Sequence, residues 1–385
     1  MYKNPFTPLF GGHPDCFFGR ESILRRFDTA LVDKGSDDRA LFITGSRGYG
    51  KTALLEQLSL RANASGRNVI DVGPDNPIGG IMRHLIPFDE TTKTVDPEVE
   101  VSVFGTGGKV RAGSSSKTVR YDRDDFEYVF LDACEQNNLK LFVTIDEIQK
   151  VALDDVALIC EAFQMASRKG YDVMIAVAGL PYGYESIIHH EGCTFMRRAV
   201  CESLGPLLPS EVKSAFQKTF KQIKDLSLSE GALQKLLTDS KGHPYIMQLQ
   251  GYYLINELNQ QGSKGCRTLS VEDVEAIMPA VKDAYYRRAL EPLVAVMPTS
   301  EVEYLQAMAR VLNDERVART GDIAKAVGKE PNRLSFIRES LLNNGIVIAP
   351  ERGKLMFMIP YLADYLLDDV RLLPESVESA IEWRL

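Results

Sequence analysis

The stretch 40-ALFITGSRGYGKT-52 decides how this 385-residue chain is read. An apolar run gives way to glycine-rich sequence and ends on Lys-Thr. Residues 45–52 match G-x-x-x-x-G-K-[ST] in full, and 52-TALLEQLSLRANAS-65 after them reads as a helix. Strand, glycine loop and helix in that order form a cradle for phosphate. Glycines at 45, 48 and 50 let successive backbone N–H groups turn toward one anion. The start of the helix adds the positive end of its dipole. Lys51 would reach the β and γ phosphates of ATP, and Thr52 would ligate Mg²⁺ through its hydroxyl. The candidate binding set is Gly45, Ser46, Arg47, Gly48, Tyr49, Gly50, Lys51, Thr52 and Ala53.

Such a cradle needs a metal-holding acid on a neighbouring strand, and 140-KLFVTIDE-147 supplies it. Asp146, at the strand's carboxyl end, would hold Mg²⁺ through water. Glu147 is placed to polarise an attacking water. An Asp-Glu pair there suits hydrolysis to ADP and phosphate rather than transfer to a substrate hydroxyl.

Outward from these motifs, short apolar runs alternate with helical ones. Strands are expected at 40–44, 68–72, 140–147 and 172–179, and helices at 20–34, 52–65, 125–137 and 154–170. The alternation predicts an α/β fold, a parallel sheet sandwiched by helices. Residues 96–122 break the rhythm and read as a hairpin-like insertion with Lys109, Arg111 and Lys117. From about residue 209 the β signal ends. Helices are expected at 209–223, 228–242, 244–259 and 270–293, the last kinked at Pro279. A helix at 298–312 with Ser300 as its cap, two helices at 319–328 and 331–345, and a hairpin at 346–360 together predict a winged helix. The expected domains are 1–207 (arm and nucleotide-binding core), 208–296 (helical lid) and 297–385 (winged helix).

Composition narrows the function classes. The net charge of −8 restricts any nucleic-acid contact to a local patch. The six cysteines (Cys16, Cys134, Cys160, Cys193, Cys201, Cys266) show no C-x-x-C pair and no zinc spacing, and read as reduced thiols. No carboxylate or cysteine sits at ligand spacing from the pair His189-His190. The start, MYKNPFTPLF, has neither a basic region nor an apolar core, and no run of about 18 apolar residues occurs. A cytoplasmic chain without a membrane span is expected.

The chain resembles a bacterial branch of the AAA+ ATPases related to origin-recognition proteins and to the signalling NTPases called STAND. The resemblance rests on the arm 4-NPFTPLFGG-12, the box 18-FGRE-21, the two motifs above, 177-VAGLP-181, 204-LGPL-207, 242-GHPY-245 and 248-QLQGYY-253, with 305-LQAMA-309 and 352-RGKLMFMIPYLADYL-366 in the tail. It covers nearly the whole chain. It implies that Phe6, Pro8, Phe18 and Gly19 line an adenine pocket and that Gly242 and Pro244 close over the nucleotide. It also implies that Arg197 is an arginine finger acting on ATP in a neighbouring subunit of a homo-oligomer, with Arg198 beside it. The chain departs from the family in two places. The strand 173–178 ends in Ala-Gly-Leu, where many relatives carry Asn, Ser or Thr, and no arginine closely follows GHPY. Both departures imply tight binding with slow turnover, a switch more than a motor.

Function divides at the tail. Residues 319–354 carry seven basic side chains against four acidic ones. In a winged helix, 331-PNRLSFIRES-340 would be the recognition helix, with Asn332, Arg333 and Ser335 near base edges. Arg338, Arg352 and Lys354 would lie near the phosphates of double-stranded DNA. The other reading is a STAND-like regulatory ATPase whose winged helix packs on the core and meets a protein.

Overall fold

The computed structural model describes residues 1–8, 17, 19–86, 125–137, 139–262 and 265–368. Phe18 and the expected insertion at 96–122 lie outside the described residues.

The first half is built on five parallel strands: β1 (Ala40–Gly45), β2 (Asn68–Val72), β3 (Lys140–Ile145), β4 (Asp172–Gly179) and β5 (Val200–Leu204). Their order in the sheet is β2-β3-β4-β1-β5. The central strands β1, β3 and β4 are buried along almost their whole length, which is why they read as unbroken apolar runs. Helices α1 (Glu21–Val32) and α2 (Lys51–Ala64) cover one face, with Phe27, Leu54 and Leu58 against Phe142 and Met174. The other face is covered by α3 (Pro77–Leu85), α4 (Phe126–Asn137) and α5 (Leu153–Arg168), which bring Ile81, Phe130 and Phe163 against Val143 and Ile175. Helix α6 (Pro181–His189) follows β4.

Four longer helices come next: α7 (Pro209–Lys221), α8 (Glu230–Ser240), α9 (Pro244–Gln260) and α10 (Val271–Tyr285). The expected end of β structure near residue 209 does not hold. Leu226–Leu228 (β6) and Arg267–Leu269 (β7) form a short parallel pair, too brief to show alternation in the sequence. Pro279 lies inside α10. The irregularity comes later, where Tyr286–Leu290 winds as a π-helix before α11 (Glu291–Ala295).

The C-terminal unit comprises α12 (Thr299–Arg310), β8 (Ala318–Arg319), α13 (Thr320–Val327), α14 (Ser335–Asn343), β9 (Val347–Ile348), β10 (Lys354–Phe357) and α15 (Leu362–Leu366). Its strands pair antiparallel in the order β8-β10-β9. Ser300 does not cap α12: the preceding position is Pro298, and no side chain caps the helix. Leu305, Met308 and Leu362 join Leu254 and Tyr285 in one continuous core, so the unit is seated on the four long helices.

The N-terminal arm runs along α9. The Tyr2 N–H donates to Asn259 Oδ1 at 2.7 Å, Asn4 donates to the Tyr252 carbonyl at 3.1 Å, and the Thr7 N–H donates to Gln248 Oε1 at 3.1 Å. Phe6 does not face a nucleotide pocket. It is 1% exposed, packs on Phe216 and Phe220, and sits over Gly251, where only a glycine leaves room for the ring. Among the described residues, no helix is long and apolar enough to cross a membrane.

Candidate nucleotide-binding site

The loop 45–50 leaves the carboxyl end of β1, between β4 and β5, where open parallel sheets place their ligands. Gly45, Gly48 and Gly50 all have positive φ. At Gly48 the need for glycine is absolute, because a Cβ there would lie 2.5 Å from the His243 ring. Lys51 is buried, and its ammonium donates to the Gly45 and Ser46 carbonyls at 2.8 and 3.1 Å. Burial lowers its pKa, while the charges of Glu147 and Asp146 work the other way. Thr52 Oγ1 donates to Asp146 Oδ2 at 2.6 Å, joining the first helical turn of α2 to the end of β3. A hydroxyl and a carboxylate side by side are the hard oxygen donors that Mg²⁺ takes, the remaining positions going to phosphate and water. The residues present fit a Mg²⁺–nucleotide.

Glu147 adopts the left-handed region at φ 52°, which turns its side chain off the strand end. Gln149 holds it there. Gln149 Nε2 donates to Glu147 Oε2 at 2.6 Å, while Gln149 Oε1 accepts from the Leu180 N–H at 3.1 Å. Gly179 packs on the same amide. Gln149, in the turn after β3, thus bridges Glu147 to the end of β4. The sequence reading missed it because the bridge joins residues 31 positions apart. Gln149→Ala is expected to lower turnover about tenfold, the worth of one charge-assisted hydrogen bond, with nucleotide affinity unchanged. Steady-state rates beside equilibrium binding would separate the two.

Gly19 and Gly242 meet at Leu207. A Cβ at Gly19 would press on the Leu207 side chain, and the Leu207 N–H donates to the Gly242 carbonyl at 2.8 Å. Pro244 opens α9 directly after His243. The box, the LGPL segment and the GHPY segment thus come together beside the phosphate loop. His243 is fully enclosed, edge-on to Tyr49 with ring centroids 4.8 Å apart, and neither ring nitrogen has a hydrogen-bond partner. Arg47, Gly48, His243, Tyr245, Tyr285 and Arg288 line a cavity of about 230 Å³. Arg288, on the π-helical segment, lies on the wall of the same cavity as Arg47 and Gly48.

Arg197 is exposed, and its guanidinium donates to the Ile188 carbonyl at 2.5 Å and the His190 carbonyl at 3.1 Å, closing the end of α6. The adjacent Arg198 is exposed.

The C-terminal unit touches the loop itself. The buried Ser46 hydroxyl donates to the Gly345 carbonyl at 2.5 Å, and the Tyr49 hydroxyl donates to the Met358 carbonyl at 2.8 Å. Tyr361 donates to the Asp239 carbonyl at 2.6 Å, beneath Lys241 at 3.9 Å from its ring centre. Of the four basic candidates in the tail, Arg333 and Arg352 are exposed. Arg338 is half-buried, and Lys354 pairs with Glu351 at 2.8 Å. Phe336, on the same helix as Arg338, is 81% exposed.

A family model described as a domain of unknown function (DUF8462) matches residues 289–366. Among curated proteins, none matches the sequence. Among solved structures, the chain is similar to the Aeropyrum pernix ORC2 protein in ADPNP–ADP complexes, at 13% identity and TM-score 0.61, covering 99% of each chain. The ADP form of that protein aligns at 15% identity and TM-score 0.53, over 100% of this chain and 99% of that one. Cdc6p from Pyrobaculum aerophilum aligns at 18% identity over 94% of this chain and 93% of that one, with TM-score 0.49. The two ORC2 likenesses show a shared fold, a five-stranded parallel sheet covered by helices with helical and C-terminal units appended.

Proposed function

We propose that this chain is an ATP-binding switch that hydrolyses ATP slowly with Mg²⁺. In this reading residues 1–207 form the nucleotide-binding core, 208–296 a lid and 297–385 a winged helix that reports the nucleotide state to duplex DNA. Lys51 and the loop amides hold the phosphates, Thr52 and Asp146 the metal, and Glu147 the attacking water. The ADPNP and ADP complexes of the similar ORC2 protein support an adenine nucleotide as ligand.

One observation carries the proposal: the hydroxyls of Ser46 and Tyr49 in the phosphate loop each donate to a backbone carbonyl of the C-terminal unit. A loop that rearranges around phosphate changes those two contacts first. Nucleotide state and the seat of the winged helix are then linked reciprocally. In the docked arrangement Arg333 and Arg352 stay exposed and available to DNA phosphates.

The same contact supports a second reading, a STAND-like regulatory ATPase whose winged helix is released toward a protein partner. Fluorescence anisotropy with mixed-sequence duplex DNA separates the two. It should be run without nucleotide, with ADP and with a slowly hydrolysed ATP analogue. For a DNA-binding switch, affinity changes with nucleotide and weakens about ten- to a hundredfold between roughly 50 and 200 mM salt, as two to four phosphate contacts require. Absence of binding in every state, with ATP-dependent self-association, would favour the protein-directed reading.

A further inference from the structure

Outside the nucleotide site, four reactive side chains meet where α5 faces the turn after α6. Asp154, Ala157 and Cys160 step along one face of α5 at three-residue intervals. His190, Gly192 and Cys193 oppose them in the same order. His190 Nε2 lies 3.9 Å from Asp154 Oδ1. Gly192 backs onto Ala157 so closely that an added Cβ would come within 2.6 Å of the alanine methyl. That contact sets the register and places Cys193 opposite Cys160 within one buried cluster. His190 Nδ1 accepts from the Gly192 N–H at 3.3 Å and lies 3.7 Å from Cys193 Sγ. With Nδ1 an acceptor, the imidazole proton sits on Nε2, toward Asp154. Both sulfurs are buried, whereas the His190 side chain on the outer wall is 29% exposed.

We propose that Cys160 and Cys193 form an oxidisable dithiol, in which Cys193 reacts first and His190 takes its proton. With hydrogen peroxide as oxidant, the Cys193 thiolate attacks one peroxide oxygen and the O–O bond breaks. Cys193 becomes a sulfenic acid, and the leaving hydroxide takes the proton from His190 to form water. The Cys160 thiol then attacks the sulfenic sulfur, an S–S bond forms, and the second oxygen leaves as water with the Cys160 proton. Two thiols are oxidised and one peroxide is reduced to two waters.

The surroundings favour that order. The neighbouring Cys160, then His190 and the Arg197 charge, hold the Cys193 thiol below its ordinary range against the opposing effect of burial. The Cys160 thiol is pushed up by the neighbouring Cys193, by burial and by the nearby Glu161 charge. The exposed Cys201, by contrast, is raised by partial burial and by the charges of Glu202 and Glu185. A bridge would fasten α5 to the turn that carries Arg197.

The test is to treat the intact wild-type protein with near-equimolar hydrogen peroxide, then count thiols after denaturation and map peptides without reductant. The expected result is a fall from six thiols to four, with a Cys160–Cys193 peptide pair that dithiothreitol releases. Cys160→Ser should stop at a Cys193 sulfenic acid captured by dimedone, and His190→Asn should slow the reaction about tenfold and move its pH midpoint upward. Oxidation of Cys201 or Cys266 with the pair left reduced, a disulfide between chains, or an unchanged rate in His190→Asn would overturn the proposal. Mapping of the wild type needs no variant to fold.

Discussion

Lys51→Ala should lose tight nucleotide binding, with turnover falling by about two to three orders of magnitude, the cost of removing a charge stabiliser from a preorganised site. Two effects add. The ammonium that would neutralise the β and γ phosphates is gone, and so is the clasp it forms on the Gly45 and Ser46 carbonyls, which holds the loop in shape. The fold should survive, because the lysine is a buried cation whose own burial disfavours its charge, and removing it leaves no opposite charge sealed inside. Asp146 stays near the surface and keeps its bond from Thr52. Binding of a fluorescent ATP analogue and phosphate release would read the loss, and a thermal melt would verify the fold. Wild-type hydrolysis in this variant would remove the central assignment. Glu147→Gln is the informative contrast, because it keeps the phosphate contacts and should bind nucleotide while failing to turn it over.

How much of this was legible in the chain follows from how local each determinant is. The strand–loop–helix around residue 45 and the Asp-Glu end of β3 are contiguous motifs, and the sheet follows from apolar runs buried on both faces. Edge strand β5, VCESL, was not expected, since its half-exposed residues carry no such run. Helix α3 was missed for a different reason: its 77-PIGGIMRHL-85 holds two glycines mid-helix, which lowers helix propensity. Contacts between distant segments left no trace in sequence. The Gln149 bridge to Glu147 and Leu180, the shared cavity of Arg288 and Arg47 and the seat of Gly345 on Ser46 all depend on the folded arrangement of separate elements. Family resemblance placed Phe6 at the adenine. The structure places it in the core of the helical unit, because the arm follows α9 and its ring finds the groove over Gly251.

His243 should make the protein sensitive to mild acid. Burial pushes its pKa from 6.5 down to about 4. The ring is therefore neutral in the fold, wedged between Tyr49 and Tyr285 with its edge against Gly48. As pH falls, the unfolded chain takes up the proton first. The stabilisation is complete above the unfolded pKa of 6.5 and drains between there and about 4. A shift of that size corresponds to a loss of about 3 kcal/mol, a large share of the stability of an ordinary domain. Asp172 acts lower on the scale. Burial works against its carboxylate, but Arg67 and Arg39 outweigh it and hold it below the usual carboxylate range, so its contribution fails only in stronger acid. Urea denaturation at pH 7.5, 6 and 5 should show falling stability in the wild type and a shallower fall in His243→Asn, whatever the baseline of the variant. Equal slopes would mean that His243 is protonated without penalty in the folded protein. The expected site of failure is the junction of phosphate loop, α9 and the π-helical segment. Nucleotide bound to the loop should raise the wild-type stability by a similar amount at each pH and leave the slope unchanged, because a ligand that binds only the folded state does not alter the proton uptake of the unfolded chain.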